Sequence, residues 1–163
     1  MFSGIIHGDF NEQNVIVRRD PESSAAVTVV GAIDFGDSEH GPYIYKLSIA
    51  IMYSMLQSRV VDPLDVGGHL LAGYLSQRQR ALTDVELTAL WPCVAARFAQ
   101  SLTMGAYNYS LDPRNNGQFL ATAKRGWTLL RQIWQETSGE ELNTRTNAIL
   151  ASYRLTNINT KII

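Results

Sequence analysis

"GIIHGDFNEQNVIV", residues 4–17, sets a histidine, an acid and two asparagines inside an apolar frame. The residues that follow define how this stretch is held. Val15 to Val17 is a short β-branched run, "RRDPESS" after it is turn chemistry, and "VTVVGAI" from Val27 is a second β-rich run. They predict a β-hairpin with its polar tip at Asp20 to Ser24. Its first strand leaves the "HGDFNEQN" loop and its second runs into "DFGD" at Asp34 to Asp37, so one hairpin would hold both acidic loops at the same end.

Beyond Tyr43 the period becomes helical. Leu47, Ala50, Ile51 and Met55 predict a helix apolar on most sides and therefore buried. "DP" at Asp62 starts a second helix over Leu64 to Gln77. Thr83 and Glu86 have capping-box spacing ahead of Leu87, Leu90, Val94, Phe98 and Leu102, with Pro92 predicting a kink or a later start. A helix over Asn116 to Glu136 carries Leu120, Ala123, Trp127, Leu130 and Trp134 as its packing stripe. "TSGEE" near Thr137 reads as a break before a last helix around Thr144 to Arg154. No repeat or interdomain linker divides the chain. The fold class expected is α+β, mainly α: a catalytic loop and hairpin in 1–42, then a helical bundle in 43–163.

The 163 residues, 45% hydrophobic and 18% charged, suffice for one domain with a real core. A net charge of −1 gives no bulk attraction to nucleic acid or to an anionic membrane. The longest apolar run, Leu47 to Leu56, falls well short of a bilayer span. Neither a targeting nor a lipidation signal is read, and the lone Cys93 excludes an internal disulfide. A cytoplasmic location is expected, with neither membrane nor nucleic acid as partner.

Phosphoryl transfer needs a carboxylate to receive the acceptor's proton and oxygen ligands to hold Mg²⁺ against nucleotide phosphates. The kinase catalytic loop meets this with His-x-Asp, four residues, then Asn, followed by a hairpin and an Asp-Phe-Gly metal loop. His7, Asp9 and Asn14 have the first spacing, and Asp34, Phe35 and Gly36 supply the second. Either motif alone is weak, whereas the two in order with a hairpin between them are specific. An acidic turn or a helix cap is the bland alternative for Asp9 and Asp34. Asn11 and Gln13 could simply satisfy backbone groups. Asp37 could support the metal loop or serve as a turn residue before Gly41 and Pro42. His40 and His69 lack metal-ligand spacing, which favours surface or packing roles.

"HGDFNEQN" and "IDFGD" together resemble the aminoglycoside phosphotransferase and choline kinase superfamily, in which glycine stands where protein kinases have arginine. With "GGHLLAGY", "RFAQSL" and "GWTLLRQIW", the chain looks like the branch that acts on 5-hydroxylysine. The resemblance implies a protein-kinase-like C-terminal lobe that transfers a γ-phosphate from GTP, the favoured donor, or from ATP to the hydroxyl of 5-hydroxy-L-lysine. Carried over by residue, it makes Asp9 the catalytic base, Asn14 and Asp34 the Mg²⁺ and nucleotide ligands, and His7 the brace of the loop. Such an acceptor brings a carboxylate, for which Arg97 or Arg114 is a candidate, and amines, for which Glu39 or Asp112 is; a solvated face or structural ion pair explains them as well.

Two departures from the family pattern qualify this expectation. Only six residues precede His7, and the three lysines, Lys46, Lys124 and Lys161, all follow the catalytic loop. The N-terminal nucleotide-binding lobe is thus expected to be absent, leaving an apolar face prone to self-association. "KLS" at Lys46 stands where the superfamily has an acid that helps hold the catalytic loop. The rival readings are a non-catalytic remnant or binding partner, and a kinase for another small amine or amino alcohol.

Overall fold

The computed structural model describes residues 1–20, 23–77, 82–113 and 117–159. Among the described residues, two small antiparallel sheets precede five α-helices. The predicted hairpin is β2 (Val15–Asp20) with β3 (Ser23–Ala32), and Val15 pairs with Ala32 at its base. Register shifts after Ile16 and after Arg19 add local twist. Residues 21–22, within the expected tip, lie outside the described residues.

A second sheet was not foreseen. β1 (Ser3–Ile6) pairs with β4 (Glu39–Pro42), placing Ile5 opposite His40 and Ile6 opposite Glu39. This pairing closes the segment carrying both motifs into one loop-and-hairpin unit. Its start is tied to the helices through Glu86, a fully buried carboxylate that accepts the Phe2 amide at 2.9 Å. The same side chain accepts the Thr83 amide at 2.9 Å and its hydroxyl at 3.0 Å, completing the predicted capping box. A buried carboxylate is tolerated only when its lone pairs are so occupied.

The helices are α1 (Tyr43–Gln57), α2 (Pro63–Ser76), α3 (Asp84–Leu111), α4 (Gly117–Arg131) and α5 (Gly139–Asn159). As expected, α1 is buried on most sides, by Ile44, Leu47, Ile51, Met52 and Met55 among others. It packs against Leu71, Leu90, Val94 and Phe98 in one core, where each fully buried large side chain contributes about 1.5–3 kcal/mol. The first two of the three glycines of "GGHLLAGY", Gly67 and Gly68, lie inside α2 at helix crossings. A Cβ at Gly67 would stand 2.9 Å from the Trp91 ring, and one at Gly68 2.7 Å from Ile149. Close packing explains this pair, with no phosphate loop involved.

Three helical expectations need correction. α3 starts at Asp84 and runs through Pro92, because its cap and the burial of Trp91 and Val94 outweigh the missing amide hydrogen bond. Of the stripe predicted for α4 and the turn after it, Leu130 packs against the core, but Trp127 is 51% and Trp134 69% exposed, whereas Leu129 and Ile133 are buried. Both sets have helical spacing, so period alone did not separate them, and the side chain of Leu120 lies outside the described residues. α4 passes into a π-helical turn at Gln132–Glu136. α5 then begins earlier than predicted, where the Ser138 hydroxyl accepts the Glu141 amide at 3.1 Å.

α2 and α5 are clamped electrostatically. Asp62 caps α2 by accepting the Leu64 amide at 2.9 Å, and Arg145 of α5 reaches Asp62 at 2.9 Å and Asp65 at 2.8 Å. The Leu64 hydrogen bond, aided by Arg145, holds the Asp62 carboxyl below the usual carboxylate range. A lowered folded-state value gives stability that is present above the unfolded-state value and lost as pH falls through the folded one. Asp62→Asn, which keeps a capping oxygen, is therefore expected to cost no more than about 1 kcal/mol near neutrality. Its deficit should shrink and disappear as pH falls through the lowered folded-state value; thermal melts of both proteins across about pH 2–7 check this, and a pH-independent deficit contradicts it.

Candidate active site

The hairpin does bring the two motif loops together. Strand pairing ends at Val15 and Ala32, and one step further the Ile33 amide donates to the Asn14 carbonyl at 3.0 Å. Asn14 and Asp34 thus leave adjacent strands side by side. His7 adds a second tie: Nε2 lies 2.8 Å from the Ile33 carbonyl and Nδ1 accepts the Asp9 amide at 3.4 Å. The tautomer protonated at Nε2 satisfies both contacts. The His7 ring also packs on Phe35 at 4.7 Å and Phe10 at 5.7 Å, linking the motifs through their aromatics.

Between His7 and Asp9 the chain turns at Gly8, with φ +82°. A Cβ there would meet the Asp37 carbonyl oxygen at 2.0 Å, so Asp37 presents backbone to the catalytic loop. Asn14 is buried and donates from Nδ2 to the Asp9 carbonyl at 2.9 Å. Asn11 does more than satisfy backbone. Its Oδ1 accepts the Gln13 amide and its Nδ2 donates to Asp9 Oδ2, each at 2.9 Å.

The opposite oxygen of the carboxylate has a partner that motif reading did not assign. Arg97 of α3 places a guanidinium nitrogen 2.7 Å from Asp9 Oδ1, with side chains 18% and 24% exposed. That nitrogen also donates to the Tyr53 hydroxyl at 3.2 Å, and its neighbour donates to Gln100 at 2.9 Å. Arg97 is thus committed to Asp9 rather than held ready for an acceptor carboxylate. The available signal was a lone arginine between Val94 and Phe98 in an otherwise apolar helical series.

Asp34 adopts a left-handed backbone, φ 62° and ψ 63°, and is the one such non-glycine among the described residues. That conformation costs on the order of 1–3 kcal/mol. It precedes the short turn Phe35–Asp37, which its side chain does not cap, so the helix-cap alternative fails. Among the described residues no three His, Cys, Asp or Glu side chains converge as a metal cage. Asn14 and Asp34 offer one amide oxygen and one carboxylate, hard oxygen donors that fit Mg²⁺ when phosphates complete its shell. Asn14 supports this fit because its nitrogen is already engaged by the Asp9 carbonyl.

Asp9 opens onto a groove of about 550 Å³ whose walls include Glu12, Tyr53, Gln57, Tyr109 and Trp127. Glu12 accepts from Gln57 at 2.8 Å on its edge. The exposure of Trp127, unexpected for a core stripe, is explained by its place in this wall. A larger cavity, about 920 Å³ and mostly apolar, lies between the loops and the α1–α2 pair. Lys46 borders it with its ammonium 5.2 Å from the Tyr43 ring centre and 5.7 Å from that of Tyr74. The catalytic loop is therefore built despite the basic residue, through His7, Asn14 and Arg97.

The other candidates do not join the site. His69 packs edge-on against Tyr153 with Nδ1 3.1 Å from its hydroxyl, a packing role. His40 and Glu39 are exposed on β4, Asp112 ends α3, and Arg114 lies outside the described residues.

The model of the phosphotransferase enzyme family matches residues 2–83, half of the chain and the half containing both loops. A hydroxylysine kinase of Mus musculus is 42% identical over 132 residues, covering 80% of this chain and 34% of that protein. One of Bos taurus is 40% identical over the same length and shares. One of Xenopus laevis is 38% identical over 154 residues, covering 86% of this chain and 40% of that protein. The chain thus spans little more than a third of the length of these curated relatives. No solved structure matches it. Among the described residues no helix is long and apolar enough to cross a membrane.

Proposed function

The chain belongs to the phosphotransferase enzyme family, and from that premise we propose that it carries the transfer centre of a small-molecule kinase. The acceptor is 5-hydroxy-L-lysine and the donor is GTP or ATP, with GTP favoured. The unit acts as a kinase-like C-terminal lobe. The observation that carries this reading is Asp9 lining a groove, with Asn14 bonded to its carbonyl and Asp34 one residue past the hydrogen bond from Ile33 to Asn14.

Asp9 takes the proton of the acceptor hydroxyl as its oxygen bonds to the γ-phosphorus and the bond to the nucleoside diphosphate breaks. Asn14 and Asp34 hold Mg²⁺, which when bound offsets charge on the phosphates. His7 keeps the two loops in register through the Ile33 carbonyl. The acceptor lies in the groove with its hydroxyl at Asp9. Tyr53, Tyr109 and Trp127 give apolar walls with electron-rich faces, and Glu12 gives a carboxylate, a combination that suits protonated amines.

The test is transfer of labelled γ-phosphate from GTP and from ATP to 5-hydroxy-L-lysine by the native polypeptide, with lysine as the acceptor lacking a hydroxyl. Phosphorylation of hydroxylysine alone supports the reading. Turnover on other hydroxylated amines but not on this one moves the substrate and keeps the chemistry. Asp34→Ala is expected to reduce turnover by more than about 100-fold, through loss of metal and phosphate positioning. Near-normal turnover in that variant would remove Asp34 from the site.

A further inference from the structure

We propose that Arg97 is the positioning residue for Asp9, through which the helical bundle sets the orientation of the catalytic carboxylate. This rests on the reading of Asp9 as the base. A base carboxylate must present a lone pair to the groove in one orientation, because misplacement by an ångström costs much of the rate. Asn11 grips Oδ2 at 2.9 Å, but it lies two residues away in the same loop and moves with it. Arg97 grips Oδ1 at 2.7 Å from 88 residues away, and so ties the loop to a separate element.

Arg97 is itself held on several sides. Phe98, the next residue, is fully buried in the core, and the α3 start is fixed by its capping box. The guanidinium carbon lies 5.6 Å from the centre of the Tyr53 ring, while the Tyr53 hydroxyl and Gln100 take hydrogen bonds from its two terminal nitrogens. Its Nε is buried without a hydrogen-bond partner. The side chain is thus aimed at the carboxylate even at the expense of one donor. Arg97 is not part of the groove wall, whereas Asp9 and Tyr53 are. It acts from behind the base rather than on the acceptor.

A planar fork with fixed donor directions can meet Asp9, Tyr53 and Gln100 together, and a lysine ammonium cannot reproduce that fork. In the native polypeptide, Arg97→Gln is expected to lower kcat at least about tenfold while acceptor KM stays within about threefold. Arg97→Lys should recover part of the loss and guards against a Gln variant that fails to fold. Added to Asp9→Asn, Arg97→Gln should produce little further loss, since the two residues act as a unit. An unchanged kcat, a change confined to acceptor KM, or fully additive losses would overturn the proposal.

If Asp9→Asn leaves turnover intact, or the unsubstituted polypeptide itself shows none, the base reading fails on its own account. A urea-unfolding double-mutant cycle on Asp9→Asn and Arg97→Lys then decides whether the two residues are coupled. Non-additive midpoints are expected, and additive ones refute the link between bundle and loop.

Discussion

Asp9→Asn is expected to slow phosphoryl transfer by about 10²–10⁴-fold with little change in acceptor KM. The substitution keeps the size of the side chain but replaces an acceptor-only carboxylate by an amide with one acceptor and one donor end. In the structure both carboxylate oxygens face donors, Arg97 at 2.7 Å and Asn11 at 2.9 Å. An amide must turn its nitrogen toward one of them, so one donor loses its partner. The residue then cannot accept the hydroxyl proton and is also held less firmly. The main-chain tie from Asn14 to the Asp9 carbonyl is untouched by the change, so the loop should keep its path. Steady-state kinetics with varied hydroxylysine separates kcat from KM, and circular dichroism verifies folding. A folded variant with near-normal kcat would refute Asp9 as the base.

How much of this was legible in the sequence depended on range. The motif loops were legible because their chemistry is local: His7 to Asn14 and Asp34 to Gly36 keep fixed spacings, and the β-branched runs between them announce a hairpin. The caps at Asp62 and Thr83 were legible for the same reason, each being a contact within three residues. β1 and β4 were not, because four-residue strands such as "SGII" and "EHGP" have no alternation and are fixed by pairing with a distant partner. Arg97 and Asp9 are 88 residues apart, and an arginine in an apolar helix gives no address for its partner. Trp127 misled because a groove wall and a core face share the same helical period. The structure separates them by what each face meets: Leu129 and Ile133 turn to the core, and Trp127 turns to the groove beside Asp9.

Gly8→Ala is expected to be the most damaging single-methyl change in the motif region, because two penalties coincide there. At φ +82° an L side chain is strained, at about 1–3 kcal/mol. The added methyl would also stand 2.0 Å from the Asp37 carbonyl oxygen and 2.7 Å from its carbon, backbone atoms that cannot swing aside as a side chain can. Relief requires the catalytic loop and the metal loop to move apart, in opposition to the His7 contact with Ile33 and the Ile33 amide bond to Asn14. The combined loss should reach about 3 kcal/mol or more, measurable as a lower urea midpoint. Turnover should fall even where the variant stays folded, because the same displacement separates Asp9 and Asn14 from Asp34. A variant with wild-type midpoint and turnover would show that the two loops do not need this close approach. The glycine of "HGD" would then owe its place to something other than the Asp37 backbone.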